Sequence, residues 1–85
     1  MRIIITKEAR KDIAKIKQHK ALTQKLCDLL AILEKNPFQT PPPYEKLSGN
    51  LGMYYSRRIN IKHRLVYTIT EDEIKIVSAW SHYDF

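Results

Sequence analysis

Residues 53–81 read MYYSRRINIKHRLVYTITEDEIKIVSAWS, and this stretch decides the fold. β-Branched and aromatic residues gather in three runs, 53–60, 63–70 and 73–81, separated by only a few residues. Connections that short cannot carry a crossover, so the runs are expected to pair antiparallel as a meander. Within 63–70, Leu65, Tyr67 and Ile69 alternate with Arg64, Val66 and Thr68. The first set suits a core and leaves Arg64 on the opposite, uncovered face. In 53–60 the same reading turns Tyr55 and Ile59 inward and Tyr54, Ser56 and Arg58 outward. Arg57 shares the inward parity, and a charge there is expected at a sheet edge, with its head in solvent. Ile74, Ile76, Val77 and Ala79 are all apolar, so alternation assigns no face to the last run and cannot place His82.

Upstream of this meander the periodicity changes. Residues 2–6, with three consecutive isoleucines, suit a short buried strand. Thr6 fits an N-cap, and Glu8 lies where a helix dipole favours an anion. A helix over 7–18 follows, with Ala9, Ile13 and Ile16 on one stripe and a basic outer face that is either simply solvated or a contact for RNA phosphates. Leu22, Leu26, Leu29, Leu30 and Leu33 predict a second helix over 21–35, ended by Pro37. All four prolines lie between 37 and 43, which predicts an extended, stiff connection. A brief strand at 45–47 and a turn around Asn50, between Gly49 and Gly52, complete the order β-α-α-β-β-β-β. The fold class is α+β, a twisted antiparallel sheet with two N-terminal helices packed on one face.

Eighty-five residues make one domain, 1–85, with a thin margin of stability. Fifteen basic residues against nine acidic ones give a formal charge of +6. Such a surface attracts polyanions, nucleic acid first and acidic protein second. Cys27 is the single cysteine and reads as a small reduced residue beside the core. No apolar run approaches membrane-spanning length, so a cytoplasmic protein without membrane association is expected. His19, His63 and His82 have no metal-ligand spacing and no glycine-rich phosphate loop is present, so no metal and no cofactor are expected.

Two arginines on adjacent antiparallel strands, Arg58 and Arg64, can point at one anion, for which a planar, permanently charged fork is well suited. Their alternative is pairing with Glu71, Asp72 or Glu73, or plain solvation. Cleaving RNA without metal needs a base for the 2′-hydroxyl and an acid for the departing 5′-oxygen. Histidine titrates in the right range. Glu45 is the one carboxylate delivered to the start of the sheet by the proline segment. Read without context, Glu45 and His82 are also compatible with ordinary surface positions.

Tyr55-Ser56-Arg57-Arg58-Ile59, His63-Arg64-Leu65-Val66-Tyr67 and the terminal His82-Tyr83, with Asn36-Pro37-Phe38 and Glu45-Lys46-Leu47 upstream, resemble the YoeB/Txe toxins of the RelE/ParE superfamily. The resemblance covers the chain in length and element order, and its specific part is 36–83. It implies a ribosome-dependent mRNA endoribonuclease (an mRNA interferase) of a type II toxin-antitoxin system. Glu45 then falls on the general base, Arg58 and Arg64 on the phosphate-binding arginines, His82 on the general acid and Tyr83 on the aromatic beside it. The implied partners are mRNA, the ribosome with the rRNA of its decoding site, and a cognate antitoxin, with homodimer formation left open. The chain departs from that pattern by continuing to Asp84-Phe85 and by carrying Trp80-Ser81; Trp80 reads as core, with base stacking as its alternative. Two other readings stand beside this one: a non-catalytic toxin of the same fold that binds a protein such as DNA gyrase, and a plain basic RNA-binding module.

Overall fold

The computed structural model describes residues 1–47 and 53–80. The chain runs β1 (Arg2–Ile5), α1 (Lys7–Ile16), α2 (Lys20–Lys35), β2 (Glu45–Lys46), β3 (Tyr54–Arg58), β4 (Arg64–Ile69) and β5 (Glu73–Ser78). The expected element order is therefore present, each element ending within three residues of its expected bound. The turn expected around Asn50 lies outside the described residues.

The five strands form one sheet in the order β1-β5-β4-β3-β2. Strands β2 to β5 pair antiparallel, and β1 joins the far edge parallel to β5. The parallel pair is possible because the whole helical hairpin lies between β1 and the rest of the sheet. Arg2 sits opposite Glu73 in that pair and binds it at 2.8 Å.

Thr6 caps α1, its Oγ1 accepting from the Ala9 amide at 3.2 Å. Between the helices, the Thr23 hydroxyl reaches back to the carbonyls of Ile16 and His19, both at 3.0 Å. The two helices bury Ala9, Ile16, Leu26, Leu29 and Leu33 against Leu65, Tyr67, Ile74 and Ile76 of the sheet. Each such side chain contributes roughly 1.5–3 kcal/mol relative to exposure, which suits a domain with no cross-link among its described residues. Cys27 is exposed rather than beside the core. It follows Leu26 by one residue, and one helical step of about 100° carries it off the leucine stripe.

Between β4 and β5 the register slips: Tyr67 faces Ile76, while Val66 faces Ser78. Val77 is the extra residue of a β-bulge. This explains why alternation fails along 73–81. Ile74, Ile76 and Ala79 are all fully buried, two residues apart before the bulge and three across it. Past the bulge the Ala79 amide leaves the ladder and donates to Asp12 Oδ2 on α1 at 3.0 Å.

Candidate active site

Directly opposed residues of an antiparallel pair share a face. Glu45 is opposite Ser56, Ser56 is opposite Val66, and Arg58 is opposite Arg64. Hence Glu45, Ser56, Arg58 and Arg64 all stand on the face turned away from the helices. They line a cleft of about 530 Å³ with Pro42, Pro43, Tyr44, Lys25 and the hairpin residues Ile59 to Ile61. The volume is within the usual range for a small-ligand site.

Arg64 Nη1 lies 3.8 Å from Glu45 Oε2, an ion pair too long to be a hydrogen bond. The Glu45 side chain keeps 69% of its exposure and Arg64 keeps 22%. A loose pair so open to water is worth at most about 1 kcal/mol. An incoming phosphate would therefore meet little resistance in drawing the guanidinium away, leaving the Glu45 carboxylate beside it. Glu71 and Asp72 lie at the β4–β5 turn, and Glu73 is bound by Arg2 rather than by either site arginine.

Arg57 corrects the expectation of a solvent-reaching edge residue. It is 1% exposed and β3 is an interior strand, flanked by β2 and β4. Four of its five N–H groups are engaged: Nε donates to the Tyr67 hydroxyl (3.0 Å), Nη1 to the Pro42 carbonyl (2.6 Å), and Nη2 to the Pro37 and Gln39 carbonyls (2.9 Å each). The four acceptors are uncharged oxygens, yet together they replace the water a buried cation loses. Tyr44 adds its ring face, 5.1 Å from the guanidinium carbon. Burial holds the Tyr67 phenol above its usual pKa, opposed by the hydrogen bond and charge of Arg57.

The same contacts overturn the extended reading of the proline connection. In a polyproline helix Pro37 and Pro42 would stand about 15 Å apart. Here their carbonyls meet at one guanidinium. The segment is a coil wrapped round Arg57, with Phe38, Tyr44 and Tyr55 packed edge to face beside it. Its last turn delivers Glu45 to β2. The signal for this role is in the sequence: a charge at inward parity, downstream of a segment rich in proline carbonyls that no helix or strand would use.

His63 and Trp80 also find places. The β3–β4 hairpin is closed by the Asn60 side chain, whose Oδ1 accepts from the amides of Lys62 (2.9 Å) and His63 (2.6 Å). The buried His63 ring stacks on Trp80 at 4.2 Å, and His19 stacks on the same side chain at 5.9 Å. Trp80 is half-buried and engaged in this stack, rather than plain core. His82 and Tyr83, expected as the acid and its neighbouring aromatic, and Asp84-Phe85 lie outside the described residues.

Comparison with known proteins shows the family. Residues 5–83 match the family of YoeB-like toxins of bacterial type II toxin-antitoxin systems. A Toxin YoeB of Streptomyces coelicolor is 37% identical over 84 residues, which are 98% of this chain and 100% of that protein. The YoeB dimer from Staphylococcus aureus is similar at a TM-score of 0.85 and 38% identity over 98% of both chains. The heterotetrameric YoeB-YefM toxin-antitoxin complex from the same organism gives 0.84 and 38%, again over 98% of both chains.

Proposed function

Because this chain belongs to the YoeB-like toxins of bacterial type II toxin-antitoxin systems, we propose that it is an mRNA endoribonuclease acting on the ribosome. The observation that carries the reading is the convergence of one carboxylate and two guanidiniums, Glu45, Arg58 and Arg64, in a single cleft. Glu45 takes the proton of a 2′-hydroxyl, whose oxygen attacks the adjacent phosphorus. Arg58 and Arg64 hold the non-bridging oxygens as negative charge builds on them. His82 gives a proton to the 5′-oxygen as its bond to phosphorus breaks. The products are a 2′,3′-cyclic phosphate and a 5′-hydroxyl, and every atom and proton is accounted for without metal or cofactor.

A loose, solvent-exposed base is poorly held for catalysis in free solution. The decoding site, which presents mRNA to the cleft with its backbone fixed, supplies the missing orientation. The partner that silences the site is a cognate antitoxin whose acidic segment crosses Arg58 and Arg64. The YoeB-YefM complex and the YoeB dimer of the Staphylococcus aureus relative support both an antitoxin partner and self-association.

The test is primer-extension mapping of a defined mRNA on programmed ribosomes. Wild-type protein is expected to cut within the A-site codon, and Glu45→Ala, Arg64→Ala and His82→Ala to lose about 10²–10⁴ of the rate. Intact mRNA with wild-type protein, or unchanged cutting by all three variants, would refute the reading.

A further inference from the structure

Ser56 is the residue of the cleft to which the mechanism gives no task. It is 2% exposed, and its hydroxyl has no hydrogen-bond partner among the described residues. A buried hydroxyl left unsatisfied destabilises the protein that carries it, and native interiors contain few of them. Alanine would fill the same place on β3 at no such cost.

Its location is specific. Ser56 lines the cleft, stands directly across from Glu45 and lies two residues from Arg58 on the same face. The hydroxyl is thus set between the carboxylate and the Arg58–Arg64 row. Beside it Val66 is fully buried on the same face, so the sheet surface around Ser56 is dry. A neutral donor on a dry surface is worth more toward a developing charge than the same donor in water.

Resting on the ribonuclease reading, we propose that Ser56 is a further catalytic residue, its Oγ–H donating to a non-bridging oxygen of the scissile phosphate. In the free protein the hydroxyl is shut off from water. Phosphate binding draws Arg64 from its loose pairing with Glu45, opens that surface and supplies the acceptor that the protein withholds. Stability is given up at this position for a donor used only when RNA is bound.

Two measurements on Ser56→Ala test this. The thermal midpoint is expected to equal or exceed wild type, because an unsatisfied group has been removed. Single-turnover cleavage on programmed ribosomes is expected to fall about 10²-fold, with little change in the concentration giving half-maximal rate. Ser56→Thr, which keeps a hydroxyl, should recover part of the loss. A phosphorothioate at the scissile position should slow wild type more than Ser56→Ala, since sulfur accepts poorly from a donor the variant lacks. Ser56→Ala cutting at the wild-type rate, or an equal phosphorothioate effect in both proteins, would overturn the assignment while leaving the ribonuclease reading intact. Wild-type protein that does not cut at all would remove both.

Discussion

Arg57 and Arg58 are neighbours on one strand with identical side chains, and they do opposite things. Alternation turns Arg57 into the protein, where four uncharged oxygens and a tyrosine ring surround it. It turns Arg58 into an open cleft opposite Arg64. The inner guanidinium is spent on structure, fixing the segment that carries Glu45. The outer one is left for a ligand. A charge's use is therefore set by which face of a strand it occupies, more than by its identity.

That contrast breaks first at Arg57. Arg57→Ala leaves three carbonyls and a phenol without their donor, and the expected loss is at least about 3 kcal/mol in a urea melt. A loss under about 1 kcal/mol would mean that the proline coil holds itself. Arg58→Ala should show the reverse pattern, unfolding within about 0.5 kcal/mol of wild type. Its RNA cleavage on ribosomes should drop about tenfold or more; equal cutting would deny the outer arginine its role.

Tyr67 sharpens the inner half. Its phenol is held above the ordinary value of about 10. A raised folded pKa gives stability that is complete below the unfolded value and lost as pH rises through the folded one. Urea midpoints should therefore sag above pH ~10 in wild type. In Tyr67→Phe the sag should shrink, at a cost of about 1 kcal/mol at neutral pH for the lost Arg57 hydrogen bond. An identical sag in both proteins would place its origin elsewhere. The smallest effect belongs to Arg2, a largely exposed arginine paired with Glu73. Arg2→Ala should move the melt only slightly in dilute buffer and not at all in high salt.

Much of this architecture is legible in the residues. Leucine spacing over 22–33, the Thr6 cap and the alternation of Leu65, Tyr67 and Ile69 report packing against one face, a local property that period reveals. Placing Glu45 with Arg58 and Arg64 is half legible. Parity fixes the faces of the arginines, but only the β2–β3 register brings the carboxylate alongside. Three things are not legible from period. Arg57's burial depends on carbonyls up to 20 residues away. The slip at Val77 is masked because Ile74, Ile76, Val77 and Ala79 are all apolar and fit no single parity. The partnerless state of Ser56 is a matter of what fails to approach it, which no local pattern encodes.

The one-residue insertion at Val77 has a further consequence. Deleting that residue would restore strict alternation along β5 with Ser78 still opposite Val66 and Ala79 still on the core side. The side chains would keep their sides, and what the extra residue changes is the local bend and twist of the strand just before the Ala79 amide turns to Asp12 on α1. The insertion thus aims the end of β5 rather than sorting its residues, and its loss should disturb the junction with α1 more than the packing of the core.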